Sequence, residues 1–209
     1  MDPGFWSARW QEGRIGFHEG APNTYLSTFI DRLASARRIL VPLCGKSEDL
    51  AYLAGRGHEV VGIELVEDAV RQFFAEHGTT PVIEPRGPFT AYTSGPITVF
   101  TGDFFASTPE IVGAIDAVYD RAALVALPPP LRDRYVPHLR QIAADARREL
   151  LVTIEYPDGV FEGPPFSVPR DEVERRFAGA VIEELASGPD PRGRLDGRMI
   201  ERCYDLRWP

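Results

Sequence analysis

"VPLCGKSEDLAYLAGRGHEVVGIE", residues 41–64, contains the pattern of a strand, a helix and a second strand. The apolar run at residues 37–43 leads into it and predicts a short buried strand. Ser47 then stands at the start of an amphipathic helix, which Gly57 ends. Residues 58–65 predict another strand of the fully buried kind. This order predicts two parallel strands that are joined by a right-handed crossover.

The same stretch holds Gly-Lys-Ser, which looks like the end of a phosphate-binding P-loop. A P-loop needs a glycine five residues before Gly45, so that the backbone can wrap a phosphate. Leu40 occupies that position, in the middle of the predicted strand. The sequence therefore argues against a nucleoside triphosphate site, and we expect Lys46 to be a bystander at the start of the helix.

Strand and helix patterns continue along the rest of the chain. Helices are predicted at 66–78, 130–146 and 171–179, and strands at 97–101, about 115–119, 149–156, 180–187 and 198–208. Residues 79–96 read as an insertion or loop with a short hairpin, and residues 157–169 as a long loop rich in proline and glycine. The last two strands follow each other closely, which favours an antiparallel hairpin at the edge of the sheet.

Polar side chains follow the strands at the points where a ligand would bind. In open α/β folds, ligands lie outside the carboxyl ends of the strands, and an acid about twenty residues after the first glycine holds the ribose. Gly45 and Glu64 have this spacing, and "TGDFF" and "YDR" follow later strands. Because Gly-x-Gly-x-x-Gly is absent, an adenosyl ligand fits better than a dinucleotide. The alternative is that Gly45 only makes a turn and Glu64 is a solvated acid.

Composition limits the kinds of partner. The chain has 209 residues, enough for one domain, and its net charge of -8 argues against a nucleic-acid partner. No apolar run resembles a signal peptide or a membrane span. Cys44 and Cys203 lack disulfide or metal-site spacing, so we expect a cytosolic protein without a metal site. A small-molecule partner and a monomer are the resulting expectations.

Five segments together resemble one known family, the thiopurine S-methyltransferases, which use S-adenosylmethionine and release S-adenosylhomocysteine. They are "WSARWQEGRIGFHEG", "VPLCGKSEDLAYLAGRGHEVVGIEL", "TGDFF", "YDRAALVALPP" and "GPPFSV". The resemblance covers nearly the whole chain. It implies a Rossmann-like class I methyltransferase fold in α/β form, with a seven-stranded, mostly parallel sheet. Helices would cover both faces of the sheet, and its C-terminal hairpin would be antiparallel.

The resemblance also implies roles for single residues. Glu64 would hold the ribose hydroxyls, and Arg121 would contact the cofactor near its methionine end. The remaining implied positions are Trp10 packed on the cofactor, Leu43 and Gly45 along its methionine side, Gly102, Asp103 and Phe104 around the adenine, and Phe17 beside the acceptor pocket.

Three further residues are candidates for the acceptor site. His18 could be a pH-sensitive group there, and its alternative is a structural histidine. Arg192 and Arg194 could contact an anionic acceptor, although surface exposure explains them equally well.

No catalytic side chain is expected, because methyl transfer from a sulfonium needs mainly alignment and exclusion of water. A thiolate acceptor would also need no general base. Trp6, Trp10 and Phe17 predict that residues 1–30 form a lid whose aromatic faces meet the sulfonium; the alternative is that they only pack on the sheet. Two other functions stay open: methylation of halide, small thiols, selenium or tellurium, and a non-catalytic module that binds S-adenosylmethionine.

Overall fold

A nine-stranded sheet forms the centre of the computed structural model, which describes residues 3–15 and 18–209. The strands are β1 (Arg38–Pro42), β2 (Glu59–Glu64), β3 (Val82–Arg86), β4 (Phe89–Ser94), β5 (Ile97–Thr101), β6 (Ala117–Arg121), β7 (Arg148–Glu155), β8 (Val181–Pro189) and β9 (Ile200–Arg207). They lie in the order β3-β4-β5-β2-β1-β6-β7-β9-β8. The neighbours from β5 to β7 pair in parallel, which confirms the predicted parallel core.

Helices cover both faces of this sheet, as predicted. They are α1 (Pro3–Gln11), α2 (Thr24–Phe29), α3 (Glu48–Gly55), α4 (Glu67–Glu76), α5 (Pro109–Val112), α6 (Pro129–Ile142) and α7 (Arg170–Arg176). Neighbouring residues of a strand point to opposite faces, so Ile39 and Leu40 of β1 enter different cores. Ile39 packs in the core that includes Leu53 of α3 and Phe73 of α4, and Leu40 in the core that includes Leu139 of α6.

The sheet has two more strands than the seven that were expected. The extra strands are β3 and β4, an antiparallel hairpin from residues 79–96 that continues the sheet beyond β5. All five residues of β3 are exposed, and Val82 and Ile83 are among the exposed large apolar side chains. A strand with no buried face carries no apolar alternation, and this explains why its pattern was weak in the sequence.

The C-terminal hairpin has the predicted antiparallel form. β9 lies between β7 and β8 and runs antiparallel to both. This arrangement places the loop between β8 and β9 near the carboxyl end of β7, on the same side as the ends of the parallel strands. Among the described residues, no helix combines the length and the apolar character that crossing a bilayer requires.

Candidate active site

A cavity of about 240 Å³ opens at the carboxyl ends of the parallel strands. Its floor includes the turn after β1, the end of β2 and the end of β6, and α1 contributes aromatic side chains to its wall. Loops that follow β7 and β8 provide the remaining side. The cavity therefore lies where the sequence predicted a ligand, at the edge at which several strand ends meet.

The turn after β1 is built to reach the end of β2. Leu43 and Gly45 both have positive φ, +46° and +55°. Cys44 between them donates its backbone N–H to the carbonyl of Ile63 over 3.1 Å. Its sulfur would stand 2.8 Å from a Cβ at Gly62, so this strand position needs a glycine. Cys44 is thus buried and packed against the sheet.

Glu64 is the acid at the centre of this geometry. One carboxylate oxygen, Oε2, accepts the backbone N–H of Gly45 over 2.8 Å, and Oε1 accepts that of Val66 over 2.8 Å. The residue is 7% exposed and lines the cavity. Burial raises the pKa of Glu64, while the N–H groups of Val66 and Gly45 oppose the shift. The backbone therefore fixes the orientation of the carboxylate.

A second charged group lies at the end of β6. Arg121 is buried and forms ion pairs with Glu19 at 2.5 Å and Asp49 at 3.9 Å. Asp49 also accepts the backbone N–H of Asn23 over 2.7 Å and the hydroxyl of Tyr119 over 3.1 Å. Burial raises the pKa of Asp49, and the charge of Arg121 opposes this. These bonds join β6, α3 and the segment before α2 into one wall of the cavity.

Helix α1 covers the cavity with aromatic residues. Trp6 and Trp10 line it, and Trp10 is only 6% exposed. The indole of Trp10 packs in a small apolar cluster with Val66 and Ala69, at the start of α4. The sequence left two hypotheses for these aromatic residues, a lid over the site and simple packing in the core. The side chain of Trp10 does both, because it packs in an apolar cluster and also faces the cavity.

Most of the predicted site residues come together here. The cavity is lined by Trp10, His18, Leu43, Gly45, Glu64, Arg121, Arg192 and Arg194. Phe17 lies outside the described residues. Their roles toward a ligand stay predictions, but their proximity is a feature of the structure.

Gly102, Asp103 and Phe104 do not line the cavity. Gly102 donates its backbone N–H to the carbonyl of Glu64 over 2.9 Å, which places the turn after β5 beside that residue. Asp103 caps a short 3₁₀ helix by accepting the N–H of Phe105. Phe104 is buried against Tyr135, with ring centroids 5.0 Å apart. Their predicted contact with an adenine stays a prediction.

Lys46 and several acidic or hydroxyl residues line the cavity although the sequence did not predict it. The ammonium of Lys46 lies 2.5 Å from the carboxylate of Glu76. This ion pair joins the turn before α3 to the end of α4. Asp49, Tyr119 and Glu201 line the same cavity. Their signal in the sequence is weak, because the strands of Tyr119 and Glu201 hold other charged residues, such as Asp120 and Arg202.

Comparison with known sequences identifies the family. A sequence model described as thiopurine S-methyltransferase (TPMT) matches residues 1–191. The chain belongs to the thiopurine S-methyltransferase family. A relative from Pseudomonas aeruginosa, named thiopurine S-methyltransferase, is 49% identical over 97% of this chain and 93% of its own length. One of the same name from Pseudomonas fluorescens is 44% identical over 99% of this chain and 97% of its own length.

Solved structures with little sequence identity share the fold of this family member. The 1,6-didemethyltoxoflavin-N1-methyltransferase of Burkholderia thailandensis, solved with 1,6-didemethyltoxoflavin and S-adenosylhomocysteine, has a TM-score of 0.67 and 15% identity over 99% of this chain and 87% of its own. The predicted class I methyltransferase fold is thereby confirmed. In this fold the cavity of the thiopurine S-methyltransferase family member occupies the ligand-binding edge of the sheet.

Proposed function

We propose that this chain transfers a methyl group from S-adenosylmethionine to a sulfur acceptor, an aromatic or heterocyclic thiol of thiopurine type. The observation that carries the proposal is the carboxylate of Glu64, held by the N–H groups of Gly45 and Val66. Each carboxylate oxygen has about two lone pairs, and each uses one on the backbone. One lone pair per oxygen is left for the two neighbouring hydroxyls of a ribose. Membership of the family supports the same cofactor.

S-adenosylmethionine supplies a sulfonium that carries the methyl group. Toward it, Leu43 and Gly45 would line the methionine side, where the positive φ of both residues brings the backbone close to a ligand. Trp10 would present an aromatic face to the positive charge and keep water out. Gly102, Asp103 and Phe104 would surround the adenine, beside Glu64 through the backbone bond of Gly102.

The guanidinium of Arg121 already has acidic partners within the protein. Its guanidinium is already shared between the carboxylates of Glu19 and Asp49. We include it as a contact near the methionine end, with the two acids fixing its orientation.

The acceptor would enter from the other side of the cavity, between the loops after β7 and β8. His18 lines the cavity, with Nδ1 buried and without a hydrogen-bond partner among residues 3–15 and 18–209. Burial and the nearby charge of Lys46 lower the pKa of His18, which favours the neutral form of the ring. A neutral imidazole can exchange a hydrogen bond with a heterocyclic acceptor. Phe17 would border the same pocket.

Arg192 and Arg194 line the cavity, and each already forms an ion pair with an acidic residue. Arg192 donates to Glu19 over 2.7 Å, and Arg194 donates to Asp190 over 2.8 Å. We propose that they shape the acceptor pocket, with any contact to an anionic acceptor made alongside these ion pairs.

The proposal extends to the domain organisation, oligomeric state, location and partner of the protein. The whole chain, residues 1–209, would act as one domain, with residues 1–30 as a lid, and as a monomer in the cytosol. Its partner would be a small molecule and not a nucleic acid, in keeping with the net charge of -8.

A direct assay of methyl transfer tests the proposal. The purified protein would be incubated with S-adenosylmethionine and separate acceptors: 6-mercaptopurine, thiophenol, hydrosulfide, iodide, selenite and tellurite. We expect mass spectrometry to detect the S-methylated aromatic thiols together with S-adenosylhomocysteine. Transfer only to the inorganic acceptors would replace the acceptor class. Calorimetric binding of S-adenosylmethionine without transfer to any acceptor would indicate a binding module, and absence of binding would overturn the proposal.

A further inference from the structure

Glu201 is a buried carboxylate that the mechanism above does not use. It lies near the start of β9, opposite Ile154 of β7, and is 4% exposed. Its side chain lines the cavity. Within residues 3–15 and 18–209, no hydrogen bond or ion pair of its carboxylate is found, and its backbone carbonyl accepts the hydroxyl of Tyr25.

The neighbouring cations do not neutralise this carboxylate directly. Arg121 and Arg192 both pair with Glu19, at 2.5 and 2.7 Å. Burial raises the pKa of Glu201. The charges of Arg121 and Arg192 oppose this shift, and those of Glu19 and Asp190 add to it. A buried carboxylate normally has hydrogen-bond partners, and no described residue supplies one to the carboxylate of Glu201. Its position at a cavity indicates that a ligand supplies the missing hydrogen bond.

The place of Glu201 in the sheet assigns it to the acceptor. β9 and β2 are separated by β1, β6 and β7, so their axes lie roughly 19 Å apart at ~4.8 Å per strand. Glu64 would mark the ribose end of the cofactor, and Glu201 lies on a strand far from it. We therefore place the acceptor beside Glu201. Apolar side chains of Ile154, Phe161 and Pro165 line the same cavity.

Resting on the proposed methyl transfer, we propose that Glu201 is a catalytic residue that binds the ring N–H of a heterocyclic thione and removes its proton. The cavity arginines already pair with acidic residues of the protein, and apolar side chains lie beside them. An unpaired carboxylate in this setting suits a flat neutral ring that offers an N–H donor. A preformed thiolate would instead be repelled by the carboxylate. The thione form of a heterocycle with N–H next to C=S has both the donor and the latent sulfur nucleophile.

The proton and electrons balance in this step. The ring N–H proton passes to the carboxylate of Glu201, and the N–H electron pair forms the C=N bond. The C=S π electrons move to sulfur, which then forms a bond to the methyl carbon of S-adenosylmethionine. The methyl–sulfonium bond breaks, and its electron pair stays on the departing sulfur, giving S-adenosylhomocysteine. Glu201 later releases its proton to solvent. This step adds a general base, which the sequence had not predicted.

Two acceptors of equal ring size test the assignment. Pyridine-2-thione carries one N–H beside the thiocarbonyl, and thiophenol has no ring nitrogen and is largely thiolate at neutral pH. We expect Glu201→Gln to lower kcat/KM at least ~10-fold for pyridine-2-thione. For thiophenol, kcat/KM should not fall, because the variant no longer repels the thiolate. Glu184→Gln, which removes a charge on β8 that pairs with Arg170 and Arg202, is the matched control and should affect neither.

A binding measurement without turnover complements the kinetics. In the complex with S-adenosylhomocysteine, the ultraviolet spectrum of bound pyridine-2-thione should shift toward that of the thiolate in the wild type and not in Glu201→Gln. N-methylpyridine-2-thione, which lacks the N–H, should bind the wild type at least ~10-fold more weakly than pyridine-2-thione. This comparison needs no variant and holds even if Glu201→Gln fails to fold.

The outcomes separate the two proposals. Equal losses for both acceptors in Glu201→Gln, no loss for either, or equal wild-type affinity for the N-methylated analogue would overturn the role of Glu201. If the wild type methylates thiophenol in those cases, the proposed function still stands. Transfer to neither acceptor by the wild type would overturn both.

Discussion

Gly45 donates its backbone N–H to Oε2 of Glu64 over 2.8 Å, and this bond joins the turn after β1 to the end of β2. The other oxygen of Glu64 accepts the N–H of Val66 at the same distance. Both donors are main-chain groups, so the carboxylate is oriented before any ligand arrives. Preorganisation of this kind lowers the entropic cost of binding, which is why an acid at this position is effective for a ribose.

The first prediction concerns cofactor affinity. Glu64→Ala removes the acceptor for two ribose hydroxyls, and hydrogen bonds to a charged group contribute about 1.5–3 kcal/mol each. We expect the dissociation constant of S-adenosylmethionine to rise at least ~30-fold, measured by isothermal titration calorimetry. Glu59→Gln, at the opposite end of the same strand and paired with the exposed Arg37, is the control and should bind as the wild type does. Unchanged affinity in Glu64→Ala would remove Glu64 from this role.

The second prediction concerns the cover formed by α1. Trp10 faces the cavity and also packs on Val66 and Ala69, so its removal should open the site to water. We expect Trp10→Ala to weaken cofactor binding about tenfold, or roughly 1.4 kcal/mol. Cofactor should also change the tryptophan fluorescence of the wild type. Trp208→Phe, which alters an indole packed against Phe177 and Arg140, should retain that change. A wild type whose emission ignores the cofactor would argue against the lid.

The buried parts of the fold were predictable, because their apolar periodicity is strong. The strand at residues 97–101 has the predicted bounds, and the sheet core from β5 to β7 has the predicted parallel order. The hairpin of β3 and β4 was only partly expected, since β3 has no buried face. Hydrophobic periodicity in a sequence reflects which residues are buried. The exposed strand β3 is instead defined by its backbone pairing with β4, and that pairing leaves no periodic pattern in the sequence.

The site was predictable where a residue type and a strand end coincide. Gly45, Glu64 and Arg121 met that condition, and the structure brings them to one cavity. The position of Glu201 could not be derived in the same way, because it lies near the start of an antiparallel strand. Only the placement of β9 beside β7 carries that start to the ligand-binding edge. The sequence marks Glu201 merely as a charge inside a buried strand.

The third prediction concerns backbone strain at the cavity. Ala122 has φ +66° at the end of β6, a conformation that costs residues with a Cβ about 1–2 kcal/mol. Ala122→Gly removes this cost but makes the unfolded chain more flexible, so we expect a net gain of about 0.5–1 kcal/mol in the free energy of unfolding. The neighbouring Ala123 has φ −83° and is fully buried. Ala123→Gly should therefore destabilise the protein, and equal effects in urea unfolding would contradict the assignment of strain.

The fourth prediction concerns Glu149, which is buried in β7 with both carboxylate oxygens unpaired among the described residues. Burial raises the pKa of Glu149 well above its ordinary value of 4.5, and the charge of Asp120 adds to this. Burial also raises the pKa of Asp120 itself to about 6. A raised pKa in the folded state stabilises the protein fully below the unfolded pKa. This contribution is lost as the pH rises through the folded value.

Glu149→Gln removes the ionisation and keeps the shape of the side chain. The wild type should lose stability relative to this variant from about pH 4.5 upward, so the difference in the free energy of unfolding should favour the variant more at pH 8 than at pH 4. Urea unfolding between pH 4 and pH 8 measures the difference. The stability of the variant should still decline somewhat near pH 6, because the pKa of Asp120 remains raised.

Glu174→Gln, at an exposed ion pair with Arg170, is the control and should follow the wild type. Parallel stability curves for Glu149→Gln and the wild type would show that Glu149 does not ionise in this range.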